Sequence, residues 1–380
     1  MTKAFEIGPI RPPSEAASLL LRVTRNCSWN KCKFCNLYRG QNFSTRPIED
    51  IKADIDQAAQ IIHNLSSWAP HGGNVDSRLL NEKLHGEPLE IVQRYLHVMH
   101  WLSRGEGSVF LQDANTMVLH FDKLFEILSY LRDKLPQVTR VTSYGRVDAL
   151  AKLSVEQLTR LRQAGLDRIH AGYESGSDAV LKFINKGYTK AQEIEAGRNV
   201  VTAGIELSIY YMPGVGGKNL SDDNAIHTAD VISNVNPDFV RIRTYVSKQE
   251  TRLFDDIHAG LMAECTDVEK MRELRKMIEN IHGAKGHLFS DHVINLFENV
   301  RGNMTTDKEE MLAVFAGFEA LDERSKRRYQ VARRMGIVGS LKHMHLIGSD
   351  QIEIIDRYLS QLSTDAEFED FLLRSLRSYI

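Results

Sequence analysis

Three of the four cysteines of this 380-residue chain, Cys27, Cys32 and Cys35, fall within nine residues, in the stretch NCSWNKCKFCNLYRG (26–40). Four residues separate the first two and two separate the last two, and an aromatic residue, Phe34, stands directly before the third. A structural zinc site closes with four ligands, usually offered as two separated pairs. Here the second pair is missing: Cys265 lies alone some 230 positions downstream, and no histidine sits in the loop. Structural zinc completed by a histidine from elsewhere is the plain alternative. Three thiolates on one short loop better suit a four-iron, four-sulfur cluster with one iron left unligated by protein. Such an open iron can take a substrate or cofactor.

Composition sets the bounds. Lys and Arg (48) nearly balance Asp and Glu (50), so no strongly basic nucleic-acid surface is announced. No apolar run reaches the ~18 residues of a membrane span, and the first residues lack the zones of a signal peptide. The expectation is a cytoplasmic protein with no membrane partner, whose thiols stay reduced. In that setting a cysteine cluster points to metal or catalysis rather than to disulfides.

From about residue 18 to 250, short apolar runs alternate with longer amphipathic stretches. SLLLRVT (18–24) reads as a buried strand that leads into the cysteine loop. The stretch 47–65 has helical spacing, with Ile51, Ile55, Ala58 and Ile62 on one face. A polar, glycine-containing excursion follows near 66–90. SVFLQDAN (108–115) is a strand ending in polar residues, and further strands open at 138, 166, 205 and 238, each separated from the next by a helix. Ser154 with Gln157 and Thr189 with Gln192 are capping boxes, and Gly165 and Gly204 are the matching stops. About six strand–helix units imply parallel pairing through right-handed crossovers. They fit an open doubly wound sheet or an incomplete barrel. In both, the polar residues after each strand gather on one face and form the site. These are the cysteine loop, Gln112 to Asn115, Ser143 to Arg146, Glu174 and Ser175, and Met212 to Gly217. After residue 250 strand signals stop, and helices dominate except for an irregular stretch at 283–311.

On these residues the chain resembles the radical S-adenosylmethionine (SAM) superfamily, in which the open iron of a [4Fe-4S] cluster chelates SAM. The loop resembles that family's cluster loop, with one departure: four residues, not three, between its first two cysteines. VFLQDAN resembles the second-strand segment whose backbone holds the SAM amino group. DRIHAGYESGSDAVLKFINKGYT resembles the fourth-strand segment of the branch containing oxygen-independent coproporphyrinogen oxidase-like and Elongator-like members. IYYMPGVGGK resembles the fifth-strand segment, which lies beside adenine. The resemblance implies a partial (β/α)6 TIM-type barrel over 18–250, after an N-terminal extension (1–17) and before a mostly helical C-terminal region (251–380). It implies Cys27, Cys32 and Cys35 as cluster ligands and [4Fe-4S] and SAM as cofactors. Phe34, Gln112, Asp113, Asn115, Arg146, Glu174, Ser175, Met212, Pro213 and Gly214 become the residues that line the cofactor. It also implies one-electron cleavage of SAM to a 5′-deoxyadenosyl radical, and an external donor such as flavodoxin or ferredoxin. The substrate is unidentified, with a small molecule favoured over nucleic acid.

Plainer readings stand beside these. Phe34 can simply anchor its loop on the core, Glu174 can cap a helix, and Arg146 can sit in an ordinary ion pair. His287 and His292 read as a core-satisfied pair and Cys265 as an inert buried thiol. The glycines of MPGVGG match neither a P-loop nor a dinucleotide fingerprint, and a tight turn explains them. Two functional alternatives remain: a haem chaperone that keeps the cluster loop, with His287, His292 or His345 as axial ligand, and an RNA-modifying enzyme. The best support for the latter is RSKRRYQVARR (324–334), expected to be a solvated helix face.

Overall fold

The computed structural model describes residues 4–69 and 75–379. Residues 70–74 of the expected excursion, and 1–3 of the N-terminal extension, lie outside the described residues. The chain falls into two compact units. One comprises Met1–Ser28, Gly40–His170 and Thr202–Glu206; the other comprises Trp29–Arg39, Ala171–Val201 and Leu207–Ile380.

The first unit is built on strands β1 (Leu19–Arg22), β2 (Ser108–Gln112) and β3 (Arg140–Gly145), together with the opening residues of β4 (Leu166–Glu174). β1 runs parallel to β2, with Leu20 opposite Phe110, and β2 runs parallel to β3, with Phe110 opposite Thr142. All five residues of β2 are buried, the near-continuous burial that parallel strands covered on both faces require. The helices are α1 (Ile48–Trp68), α2 (Ser77–Lys83), α3 (Leu89–Arg104), α4 (Phe121–Lys134), α5 (Val147–Leu150) and α6 (Val155–Gln163). The buried stripe of α1 is Ile51, Ile55, Ala58, Ile61 and Leu65; Ile62, expected on it, is only half-buried. The capping box of α6 forms as read, with Ser154 N–H donating to Gln157 at 3.0 Å and Gln157 N–H to Ser154 at 3.2 Å.

The amino ends of these strands close on a buried carboxylate. Glu15 accepts from Ser18 Oγ (2.6 Å), pairs with Arg140 (2.8 Å) and lies 3.3 Å from His170 Nε2. Burial alone would push its carboxyl up. The bonds from His170 and Ser18 and the charge of Arg140 outweigh burial and hold it down at about 2.

The second unit holds the end of β4, β5 (Glu206–Tyr211), β6 (Phe239–Ile242), β7 (His287–Phe289) and β8 (Arg301–Asn303). β5, β6 and β7 are parallel neighbours, and β8 returns antiparallel to β7. Its helices are α7 (Asp178–Phe183), α8 (Lys190–Thr202), α9 (Ser221–Val235), α10 (Arg252–His258), α11 (Asp267–Glu279), α12 (Lys308–Glu319), α13 (Glu323–Arg334), α14 (Ser349–Ser360) and α15 (Asp365–Arg377). Parallel pairing in both units, with helices between the strands, makes this an α/β fold of mostly parallel sheet.

Two sequence expectations change here. Strands β7 and β8 fall inside the irregular stretch 283–311, where three-residue strands are too short to show a period. The basic stretch 324–334 is solvated only in its first half: Arg324 is exposed and 325–328 are half-buried, whereas Tyr329 through Arg334 are buried in α13. Arg334 pairs with Asp267 at 2.8 Å and Arg333 with Glu298 at 2.7 Å, while Arg328 pairs with Asp356. Acidic partners distant in sequence neutralise the run, which is what makes burying it tolerable. His287 is exposed on β7 and is therefore no core residue, and His292 is half-buried. Among the described residues no helix is long and apolar enough to cross a membrane.

Candidate functional site

The division between the units crosses the cysteine loop, so each end has its own supports. In the first unit Cys27 is flanked by two pinned neighbours. Asn26 takes the left-handed conformation (φ 67°), its N–H donating to Asp113 Oδ2 (3.3 Å) and its side-chain amide to Asn42 O (2.7 Å). Ser28 Oγ accepts from Asn115 Nδ2 at 2.9 Å. Asp113 is itself buried and paired with Arg22 at 2.8 Å, and Glu6 ties Arg22, Arg25 and Arg46 into the same network. Asn115 also accepts from Arg146 N–H at 3.0 Å, while the Arg146 guanidinium donates to Asp148 at 2.9 Å. Gln112 is engaged otherwise. Its side-chain amide donates to Gly8 O and Ile10 O and accepts from Gly8 N–H, so it clamps the N-terminal segment. Its backbone carbonyl in turn accepts from Val23 N–H, and the whole residue is buried.

In the second unit the supports are aromatic and backbone. Trp29, inside the lengthened spacer, donates from Nε1 to Asn185 O at 2.8 Å. Its indole covers Gly187, where a Cβ would come within 2.4 Å of the ring and where φ is +87°; only glycine suits that position. Asn30, also left-handed, donates to Tyr38 O at 2.6 Å. Lys33 N–H donates to Ile184 O and Lys33 O accepts from Leu253 N–H, both at 2.9 Å. Cys35 N–H donates to Cys32 O at 3.3 Å, which sets the last two cysteines on one turn. Phe34 packs with Met212 against a core of Val180, Ile184, Val215, Tyr245, Leu253 and Met262. The core-anchor reading of Phe34 thus has its contacts.

The same unit assembles the strand-end residues around Phe34. Glu174 closes β4 in the left-handed region (φ 67°), a conformation that costs a non-glycine residue roughly 1–2 kcal/mol. It is held there by Met212 N–H donating to Glu174 O at 2.9 Å and by Lys186 Nζ at 3.0 Å on its carboxylate. The buried Lys186 ammonium also lies 5.3 Å from the Phe34 ring centroid. Phe34, Lys186, Glu174 and Met212 are therefore one connected group. Lys186 went unread in the sequence, because nothing in INKGYT marks a lysine as buried. The helix-capping role weighed for Glu174 belongs to Ser177, whose hydroxyl accepts from Val180 N–H at the start of α7. Ser175 Oγ accepts from Ser177 N–H at 3.0 Å.

Below the glycine turn sits a carboxylate that sequence reasoning also missed. Glu273 of α11 accepts four hydrogen bonds, from Tyr211 Oη (2.8 Å), Gly214 N–H (3.0 Å), Ser221 Oγ (2.6 Å) and Asn224 Nδ2 (2.6 Å). Burial pushes its carboxyl up to about 7 against those bonds. Pro213 O accepts from Tyr245 N–H at 2.8 Å, and a Cβ at Gly214 would meet Lys270 at 2.9 Å. The turn from Met212 to Gly214 is thus fixed by its own backbone bonds. Cys265 is buried, and burial pushes its thiol to about 12, too high for a reactive thiol.

Of the three loop cysteines, Cys27 and Cys32 are half-buried and Cys35 is exposed. Among the described residues no three of His, Cys, Asp and Glu are gathered closely enough to hold a single metal ion. A four-iron cluster uses a different arrangement, with one soft thiolate on each of three irons. The three loop cysteines supply that donor set.

An α/β fold of parallel strands, with a three-cysteine loop following its first strand, defines the class. A family model described as the Radical SAM superfamily matches residues 21–229, more than half of the chain. The chain belongs to that superfamily, whose members generally bind a [4Fe-4S] cluster and SAM. A CDK5RAP1-like protein of Oryza sativa subsp. japonica is 23% identical over 293 residues, which is 76% of this chain and 45% of the relative. This chain therefore spans about half the length of that curated relative. Among solved structures, the Elp3 protein of the archaeon Methanocaldococcus infernus, with its N-terminus deleted, is 14% identical at a TM-score of 0.42, covering 60% of this chain and 58% of that one. Methylornithine synthase (PylB) is 14% identical at a TM-score of 0.40, covering 70% and 64%.

Proposed function

We propose that this chain is a radical SAM enzyme. In this reading Cys27, Cys32 and Cys35 each ligate one iron of a [4Fe-4S] cluster, and the fourth iron binds SAM. The observation that carries it is three cysteines inside the matched family span, on a loop whose both ends are anchored. When bound, the cluster supplies the electron that splits SAM into methionine and a 5′-deoxyadenosyl radical, which takes a hydrogen atom from the substrate.

The chain's own residues position the reactants. Asp113 and Asn115 fix the backbone on either side of Cys27, and the segment from Gln112 to Asn115 is the one whose family counterpart holds the SAM amino group. Phe34 offers a ring to adenine, beside the Met212, Pro213 and Gly214 backbone. Glu174, oriented by Lys186, takes with Ser175 the ribose or methionine part, and Arg146 contacts SAM or substrate. A small electron-transfer protein such as flavodoxin or ferredoxin reduces the cluster, and the protein works in the cytoplasm. A small-molecule substrate is favoured over RNA, because lysine and arginine nearly balance aspartate and glutamate over the chain and Arg328, Arg333 and Arg334 are each paired with an acid.

The test is an anaerobic assay of iron- and sulfide-reconstituted protein with SAM and dithionite, following 5′-deoxyadenosine. The expected result is release of 5′-deoxyadenosine that disappears in Cys35→Ala. Iron uptake without SAM cleavage would replace this reading with that of a haem chaperone.

A further inference from the structure

The second unit contains two arginines that the site described so far does not use. β5, β6 and β7 place Tyr210, Arg241 and Phe289 in one register row, so their side chains share a face of the sheet. The adjacent Tyr211 reaches the opposite way, onto Glu273 of α11. The row therefore lies on the face away from that helix. Arg241 is 8% exposed, and its Nε is buried without a hydrogen-bond partner. Its guanidinium lies 5.4 Å from the Phe289 ring centroid and 5.9 Å from that of Phe239. Arg243, two residues on, places its guanidinium 5.4 Å from the Tyr210 ring centroid and donates to Ile242 O.

One carboxylate serves both. Asp291 lies 3.7 Å from Arg241 and 3.6 Å from Arg243, with its side chain 46% exposed. Both distances exceed hydrogen-bond reach. His292, the other titratable group beside them, is pushed down to about 4 by burial and by Arg243, so it adds no positive charge near neutral pH. The result is two guanidiniums facing one partly exposed carboxylate, with the buried Nε of Arg241 unpartnered. Planar guanidinium groups against aromatic rings are suited to bidentate recognition of carboxylate or phosphate.

We infer that Arg241 and Arg243, held against Tyr210, Phe239 and Phe289, bind an oxyanion, carboxylate or phosphate, of the substrate. This rests on the radical SAM reading for the word substrate, but the binding itself does not. The reconstituted protein is titrated by calorimetry with phenyl phosphate, benzoate and phenol as probes. At least one of the two anions is expected to bind about tenfold tighter than phenol, and which one does assigns the oxyanion. Arg241→Gln should weaken that anion about tenfold, with Arg241→Lys falling between, and saturating SAM should leave its affinity within twofold. Equal binding of phenol and both anions, no binding of either anion, or undiminished binding by Arg241→Gln overturns the inference. Displacement by SAM overturns it too, since the arginines would then hold the methionine carboxylate. Anion binding in a protein that releases no 5′-deoxyadenosine would leave this site standing while the radical reading fell.

Discussion

The two ends of the cysteine loop are held by opposite chemistry. Around Cys27 the support is polar: a buried Asp113–Arg22 pair and the Asn115 amide fix the neighbours on either side. Around Cys32 and Cys35 it is aromatic and backbone: Trp29 seats against Gly187 and donates to Asn185 O, Lys33 bonds through its backbone, and Phe34 packs on a buried apolar core. Buried charges are costly to leave unpaired, whereas aromatic packing tolerates small displacements. The four-residue spacer between the first two cysteines serves both kinds of support, Ser28 the first and Trp29, docked on the turn at 185–187, the second.

If this contrast is right, removing the buried carboxylate of the polar end should be the most damaging change. Asp113→Ala leaves Arg22 with Glu6 alone and Asn26 N–H without its acceptor, and should cost about 3 kcal/mol in urea unfolding, where loss of an exposed pair would cost about 1 or less. Next comes a pH contrast between buried carboxylates of the two units. Glu15 has its pKa depressed to about 2, so its stabilisation is complete above 4.5 and is lost as pH falls from 4.5 through 2. Holding this carboxyl from 4.5 down to about 2 corresponds to about 3 kcal/mol, and Glu15→Gln should flatten that acid limb. Glu273 runs the other way: its raised pKa makes its contribution fall as pH rises from 4.5 through about 7, and Glu273→Gln should remove that slope. At the apolar end, Gly187→Ala meets both a left-handed backbone and the Trp29 ring, and should cost about 2 kcal/mol. In a Trp29→Ala background the same change should cost only its backbone share, about 1 kcal/mol, which a double-mutant cycle reads directly. The smallest effect belongs to Asn115→Ala, about 1–2 kcal/mol.

Much of the architecture was legible because it is local. Strand–helix alternation, the capping boxes at Ser154 and Thr189, and the buried run of β2 are written in neighbouring residues. What escaped reading depends on partners distant in sequence. Lys186 is a surface-type residue until Glu174 and Phe34 close around it. Glu273 is one of several acids on an amphipathic helix until the Gly214 turn, Tyr211, Ser221 and Asn224 converge on it. Arg333 and Arg334 read as solvated until Glu298 and Asp267 neutralise them. Asp113 and Asn115 were read toward a cofactor; the structure gives them a prior engagement with Asn26 and Ser28, on either side of Cys27.

The central claim is that three thiolates hold a cluster with one iron open to SAM. Electron paramagnetic resonance of the reconstituted, dithionite-reduced protein tests it directly, with iron and zinc measured on the same sample. The account predicts about four irons per chain and a reduced-cluster signal that changes shape when SAM is added, lost in Cys27→Ala, Cys32→Ala and Cys35→Ala alike. One zinc per chain with no iron signal, or a cluster signal indifferent to SAM, would contradict it.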